Sequence, residues 1–391
     1  MEVNERRINQ QVRSFEKALN GFSNTEPFAR YLTRFFKENK QMGSSDRRMT
    51  SRFCYNYFRI GKAKADLPAI ERLALAEYLC ETHSELVVLV YPDLLATMGS
   101  SVTDKIKVLF EKFNFQLGDV FPFSEYITEN IEKEAFIASF FTQPNLFIRI
   151  KRGFEKEVKS ELENVNFAFE EIGLQTLALP NGTKLQQLVR LEGKYEVQDL
   201  SSQRTIQFIE ALPNQSWWDA CAASGGKALL FLDKYPKTHL LVSDIRMSIL
   251  RNLDERFQKA NIRQDYRKKV IDLTKDTTSI LGNELFDGII LDAPCTGSGT
   301  WGRTPEMIQQ FSVNQLAEFS DLQRNIAKHV VRHLKPGGVL TYITCSVFKE
   351  ENENAVDYMV NELGLKLDRW EVIKGYEDKA DSMFAARLIK Q

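Results

Sequence analysis

Asp292-Ala-Pro-Cys-Thr-Gly-Ser-Gly-Thr300 decides how this chain is read. It follows Phe286-Asp-Gly-Ile-Ile-Leu291, an apolar run that predicts a buried strand feeding a loop. An acid, a proline-fixed cysteine and two glycines collect where that strand ends. A second thiol stands in Tyr342-Ile-Thr-Cys-Ser346, after another apolar run, Val339 to Ile343. Open α/β sheets bind ligands at the carboxyl ends of their strands. If the two strands are neighbours, about 4.8 Å apart, Cys295 and Cys345 converge on one pocket.

Outward from that stretch, strands and helices alternate from Gly193 to the end of the chain. Strands are expected at Ser216–Cys221, His239–Ser243, Lys269–Ile271, Phe286–Leu291 and Val339–Ile343, with a last one from Met383. Helices are expected between them, at Lys227–Lys234, Met247–Ala260, Val313–Leu334 and Glu351–Leu363. This alternation predicts an α/β fold with a doubly wound, mostly parallel sheet.

The first strand ends in Asp219-Ala-Cys-Ala-Ala-Ser-Gly-Gly-Lys227 and opens a helix. Small residues let backbone approach a ligand, and a helix N-terminus offers free N–H groups. The loop is neither Gly-x-Gly-x-x-Gly nor a Walker loop. Asp244 ends the next strand, where an acid holds a ribose hydroxyl pair in nucleoside-binding sheets. Asp272 follows the third strand and is placed to meet an adenine edge. One loop and one acid say little; three successive strand ends point to a nucleoside cofactor.

Residues 1–125 read as helical, with apolar residues at helical spacing in Val12-Phe15-Leu19, Phe28 to Phe36 and Leu67 to Leu79. Residues 126–190 mix a strand at Leu146–Ile150, a helix at Glu155–Asn164 and short strands at Phe167–Ile172 and Thr176–Leu179, a small α+β module. Residues 191–391 form the remaining domain. Net charge is −1, so the chain as a whole advertises no nucleic-acid binding. Residues 1–65, however, hold fourteen Lys/Arg against six Asp/Glu. That excess reads either as solvated helix faces or as an RNA-facing surface. No Cys-x-x-Cys pair or Cys/His cluster suggests a metal site. With no signal peptide and no membrane-length apolar run, a cytoplasmic protein with free thiols is expected. Cys54 and Cys80 read as buried hydrophobes, and a Cys295–Cys345 disulfide is disfavoured by that compartment.

The chain resembles the Sun/Nop family of RNA cytosine-5 methyltransferases. The resemblance rests on the Asp219–Lys227 and Asp292–Arg303 stretches, on Thr344-Cys-Ser with Glu350-Glu-Asn-Glu353, and on Val197-Gln-Asp-Leu-Ser-Ser-Gln203 and Phe384-Ala-Ala-Arg-Leu388. It spans about residues 140–391. The helical region is similar to the NusB-like domain of the bacterial small-subunit rRNA methyltransferase B branch, through Gly43-Ser-Ser-Asp-Arg-Arg48 to Tyr57-Phe-Arg59. The resemblance implies a Rossmann-like class I methyltransferase sheet behind a small α+β module and an all-α domain. It implies S-adenosylmethionine as cofactor, held or bordered by Cys221, Ala222, Ala223, Ser224, Gly225, Gly226, Lys227, Asp244, Asp272 and Asp292. It assigns attack on the base to Cys345 and release to Cys295, with Asp292 and Lys227 near the base. Its RNA partner is expected to be 16S rRNA, bound by a monomer without metal or membrane. Ser224 departs from the family, which usually has Pro there, and loses proline's fixed φ. The same chemistry on tRNA, and a non-catalytic rRNA-binding or antitermination factor, remain as alternatives.

The chemistry explains two thiols. Carbon 5 of cytosine is a poor nucleophile. A thiolate bonded to carbon 6 makes carbon 5 reactive, which divides one hard step into easier ones. A second sulfur nearby can then take the carbon 5 proton.

Overall fold

The computed structural model describes residues 4–262, Gln264 and residues 266–391. The chain forms two compact units. One gathers the N-terminal stretch through Glu125 with Glu132–Gln143 and Trp301–Ser312; the other holds Tyr126–Ile131, Pro144–Thr300 and Val313–Gln391.

The first unit is helical. Its main helices are Glu5–Asn20, Phe28–Glu38, Ser44–Arg59, Ala69–Cys80 and Val102–Phe113. Local signals start them. The Asn4 side chain accepts from Arg7 N at 3.1 Å, and the Ser101 side chain accepts from Asp104 N at 3.2 Å. Each satisfies one of the N–H groups a helix start leaves bare. Pro27 precedes the second helix, whose fixed φ suits that entry. Inside, Phe28 meets Phe58 edge-on, 4.8 Å between ring centres, and Phe15 meets Phe53 at 6.3 Å. Burying a phenylalanine contributes about 1.5–3 kcal/mol, so this aromatic core, rather than helix propensity, holds the unit. Trp301–Ser312 is built into it. Trp301 is buried 5.8 Å from the Phe121 ring and 5.1 Å from Phe311, and Glu306 accepts from Phe28 N at 3.3 Å.

Strands are numbered along the chain. In the second unit β1 (Leu146–Ile150), β2 (Glu170–Gly173), β3 (Thr176–Leu179) and β4 (Tyr195–Val197) pair antiparallel in the order β2-β3-β1-β4. Helix Glu155–Asn164 covers them through Val158 and Leu162, packed with Ile148, Ile150, Leu177 and Leu179.

The larger sheet contains β5 (Ser216–Asp219), β6 (His239–Asp244), β7 (Tyr266–Val270), β8 (Phe286–Asp292), β9 (Leu334–Thr344), β10 (Leu365–Ile373) and β11 (Met383–Lys390). Among the described residues its order is β10-β11-β9-β8-β5-β6-β7. The pairs from β7 through to β9 are parallel; β11 runs antiparallel to both β9 and β10. This is the class I methyltransferase arrangement. The central strands read as unbroken apolar runs because both faces are covered: Trp217, Trp218, Leu240 to Val242 and Ile289 to Leu291 are all buried. Strand order reverses between β5 and β8, so the loops leaving them part and open a crevice.

One strand expectation needs correction, and one strand, β10, is not among those expected. The third strand is Tyr266–Val270, not Lys269–Ile271. It lies at the sheet edge with Arg267, Lys268 and Val270 exposed, so it lacks the apolar run that marks a central strand. β10 carries no apolar run either: Lys366, Asp368, Arg369 and Glu371 interrupt it, as an edge strand with a wet face permits. Among the described residues no helix is long and apolar enough to cross a membrane, and no His, Cys, Asp and Glu group could hold a metal ion.

Candidate active site

Five strand ends build the site. β5 delivers the turn into helix Gly226–Lys234. Ala220 N donates to Ile290 O at 2.9 Å and Ala222 N to Ser243 O at 2.8 Å, tying the turn to both flanking strands. Gly225 sits at φ +84°, and a Cβ there would come within 2.7 Å of Phe257 and 2.9 Å of Leu253. Conformation and space therefore both demand glycine. Ser224 is tethered: Arg256 Nη1 donates to its Oγ at 3.4 Å, while Arg256 Nε donates to Glu196 at 2.8 Å. A side-chain tether thus acts where proline's ring would have fixed the chain.

A cavity of about 530 Å³ opens on this edge. That is the size range of small-ligand and cofactor sites. Cys221, Ala223, Asp244, Asp272, Asp292, Cys295 and Cys345 line it, with Ile245, Ile271 and Leu273 as its apolar wall. Of the other expected cofactor residues, Ala222, Ser224, Gly225, Gly226 and Lys227 stand behind that lining and shape the turn.

Asp244 is 8% exposed and accepts from Arg246 N at 2.9 Å and from Arg246 Nε at 3.1 Å. Asp272 accepts from Thr274 N and Oγ1 at 3.1 and 2.6 Å and from Lys275 at 3.1 Å. Those hydrogen bonds, Thr274 first, hold its carboxyl below the usual aspartate range. Lys227 Nζ donates to Asp292 Oδ2 at 2.6 Å. Burial alone would lower the Lys227 pKa, but the Asp292 carboxylate outweighs it and leaves the ammonium above its ordinary value.

The two sulfurs of Cys295 and Cys345 lie 3.4 Å apart. The hydrogen bond to Cys345, burial and the neighbouring charge together push the Cys295 thiol up. All five cysteines are free thiols. Burial raises Cys54 and Cys80, Cys80 to about 12, which makes both inert packing groups.

Two buried acids with no role in the sequence reading stand at this site. Glu351 is fully buried and accepts from Thr296 N at 2.7 Å, Thr296 Oγ1 at 2.6 Å and Ser346 Oγ. Thr296 follows Cys295 and Ser346 follows Cys345, so one carboxylate clamps both thiol loops. Burial raises the Glu351 pKa against the pull of these donors. Gly299 adds a backbone lock: its N–H donates to Cys345 O at 2.9 Å, and a Cβ would meet Ser382 O at 2.0 Å.

The other is Asp219, 1% exposed, whose two oxygens have no hydrogen-bond partner among the described residues. Burial, then the nearby Asp292 carboxylate, pushes its pKa up to about 8. A carboxyl raised in the fold costs stability as pH rises from its unfolded value near 3.9 to its folded value. Asp219→Asn is therefore expected to gain over the wild type progressively between about pH 4 and 8, then level off. The gain in unfolding free energy is on the order of a few kcal/mol. Urea unfolding at pH 5, 7 and 9 checks it; a constant difference across that range contradicts the assignment.

Residues 206–388 match a family model described as 16S rRNA methyltransferase RsmB/F. The chain is 34% identical over 184 residues to a ribosomal RNA small subunit methyltransferase B from Xylella fastidiosa, covering 47% of this chain and 43% of that one. A protein of the same name from Yersinia enterocolitica is 33% identical over 164 residues, covering 42% and 38%. The matched stretch thus spans less than half of these relatives' length. The solved structure of PH0851 superposes with a TM-score of 0.73 at 21% identity, over 97% of this chain and 98% of that one. NSun6 from Pyrococcus horikoshii superposes with a TM-score of 0.60 at 17% identity, over 69% and 97%. Residues 206–388 are thus similar to the RsmB/F family, and the sheet has the class I methyltransferase fold.

Proposed function

We propose that the protein is an S-adenosylmethionine-dependent RNA cytosine-5 methyltransferase acting on small-subunit rRNA from the cytoplasm. The observation that carries this is the pair of thiols, 3.4 Å apart, on the wall of a nucleoside-sized cavity flanked by three strand-end carboxylates. The segment holding them matches the RsmB/F family model, and the names of its relatives support rRNA over tRNA. The chain would then divide into a NusB-like RNA-binding region over 1–125, a small α+β RNA-binding module over 126–190 and the methyltransferase over 191–391.

The residues present suit the cofactor. Asp244, Asp272 and Asp292 place carboxylate oxygens on the cavity wall, where they can accept from ribose hydroxyls and face a cationic group. Ile245, Ile271 and Leu273 offer an apolar wall to a purine. S-adenosylmethionine supplies an electrophilic methyl group when bound. Asp244 and Asp272 would take the ribose and adenine sides. Asp244→Ala is expected to weaken cofactor binding by about 1–3 kcal/mol, the range for hydrogen bonds to a charged group. Calorimetry giving unchanged affinity in a folded variant removes Asp244 from the site.

The remaining chemistry belongs to the chain. The target base must leave its stack to expose a ring face. The Cys345 sulfur bonds to carbon 6, the carbon 5–carbon 6 double bond opens, and electron density moves to carbon 5. Asp292, fixed by Lys227, steadies the base edge at ring nitrogen 3. The hydrogen bond to Cys345 is the first cause of the raised Cys295 pKa. Carbon 5, having bonded to the methyl group, then gives its proton to the Cys295 sulfur, whose own proton has passed to water; the ring double bond re-forms and the Cys345 thiolate leaves.

The experiment is incubation with labelled S-adenosylmethionine and deproteinised rRNA or tRNA, followed by mapping of the modified nucleotide. Label on carbon 5 of an rRNA cytosine is expected. Label on tRNA alone changes the substrate, and no label in either overturns the reading.

A further inference from the structure

We infer that a second cleft, between the small sheet and the far end of helix Gly226–Lys234, holds a phosphate-bearing single-stranded segment of the substrate RNA. The inference rests on the RNA methyltransferase reading and adds a site to it. The cleft measures about 710 Å³ and shares no lining residue with the thiol cavity. Arg149, Lys151, Arg152, Arg204 and Lys234 line it, against one acid, Asp233.

The cleft carries the mark of an anion site in Arg149. This side chain is 6% exposed. Its Nε donates to Gln198 Oε1 at 3.0 Å and its Nη1 to Asp233. Its Nη2 is buried with no acceptor among the described residues. A buried guanidinium N–H without an acceptor is costly, and a phosphate oxygen would satisfy it in the geometry arginine favours. Asp233 is already engaged by Arg149 and Arg204 is paired with Asp378, while Lys151 donates to the Ala260 carbonyl; Arg152 and Lys234 are exposed and have no acid partner in the cleft lining.

The occupant is a strand rather than a free phosphate. Arg149, Arg152 and Lys234 lie spread along the cleft, more than one phosphate would occupy, and Phe154 stands exposed on the wall as a face on which a base can stack. Gln175 and Gln203 add amides able to donate and accept. Position fits as well. The helix begins at the cofactor turn and ends at the cleft. Its nine residues span about 13 Å at 1.5 Å per residue. Stacked nucleotides advance about 3.4 Å each, so the cleft would hold RNA roughly four nucleotides from the extruded base.

The test uses the full chain and a single-stranded RNA with a target cytosine and six nucleotides on each side. Arg152→Glu with Lys234→Glu changes two exposed side chains, and Phe154→Ala removes the stacking face. Each variant is expected to weaken RNA binding on the order of tenfold. The charge variant should also flatten the log–log salt dependence by about one. Cofactor affinity and kcat at saturating RNA should not change, so the loss appears in KM. Unchanged RNA affinity and salt slope in both variants overturns the cleft while leaving methyl transfer intact. So does protection against heating by inorganic phosphate in the wild type alone, with RNA affinity unaltered in the variants. If the wild type binds RNA with this dependence yet transfers no methyl group, the enzymatic reading fails and the cleft stands.

Discussion

Cys295→Ala is expected to stall the protein on its RNA, while Cys345→Ala abolishes turnover and gives no covalent complex at all. Both thiols end strands of one sheet and touch, so position alone does not order their roles. The resemblance of Thr344-Cys-Ser346 and Asp292-Ala-Pro-Cys295 to the family's motifs is what assigns attack to Cys345 and release to Cys295. Without Cys345 no bond to carbon 6 forms. Without Cys295, attack and methylation still proceed, but the carbon 5 proton has no base beside it. The methylated adduct then persists and runs as a slow band on a denaturing gel, needing RNA and cofactor together for full yield. A merely sluggish enzyme would accumulate nothing. The adduct appearing in Cys345→Ala and not in Cys295→Ala reverses the roles.

Glu351→Ala carries the second large effect. It strips the acceptor from Thr296 N, Thr296 Oγ1 and Ser346 Oγ, all buried. Each unsatisfied buried group costs about 1–3 kcal/mol; the two hydroxyls keep weaker contacts with each other and with Ser298, so a loss of roughly 3 kcal/mol or more in stability is expected. Glu351→Gln separates structure from catalysis. It fills the same space but offers one acceptor oxygen where the carboxylate has two, so the clamp loosens without a cavity. Because misplacing reacting groups by about 1 Å can cost 100-fold, kcat is expected to fall 10- to 100-fold with KM for cofactor nearly unchanged. Wild-type kcat in a folded Glu351→Gln would mean that the thiol loops hold their spacing without this carboxylate.

The strand-end logic was legible because central parallel strands advertise themselves as apolar runs ending in polar loops. Asp244, Asp272, Asp292, Cys295 and Cys345 all sit at such ends, and all line one cavity. What composition conceals is burial of charge. Glu351 lies in Lys349-Glu-Glu-Asn-Glu353, which reads as solvated surface, and only the fold reveals that it is fully enclosed. Asp219 was visible in its motif, but nothing in the sequence marks its oxygens as bare. The basic excess of residues 1–65 is also less free than it reads. Arg59 is buried, donating to Phe140 O and to Gln143, and Arg52 is spent on Glu77. Nor does spacing announce that Trp301–Ser312, directly after the loop of Cys295, belongs to the helical unit. A truncation at residue 125 would leave Trp301 and Phe311 without the Phe121 and Phe123 rings that cover them, so substitutions are the sounder test there.

The central claim is covalent attack by Cys345 on a cytosine, and a substrate whose carbon 5 carries fluorine instead of hydrogen tests it most directly. With no proton to remove, the ring cannot re-form and the sulfur cannot leave. Incubation of the wild type with S-adenosylmethionine and RNA bearing 5-fluorocytidine at the target is expected to give a denaturation-resistant complex. Proteolysis and mass spectrometry should place the nucleotide on the peptide holding Cys345. A nucleotide on the Cys295 peptide, or no complex from a protein that methylates the unmodified RNA, would contradict the account.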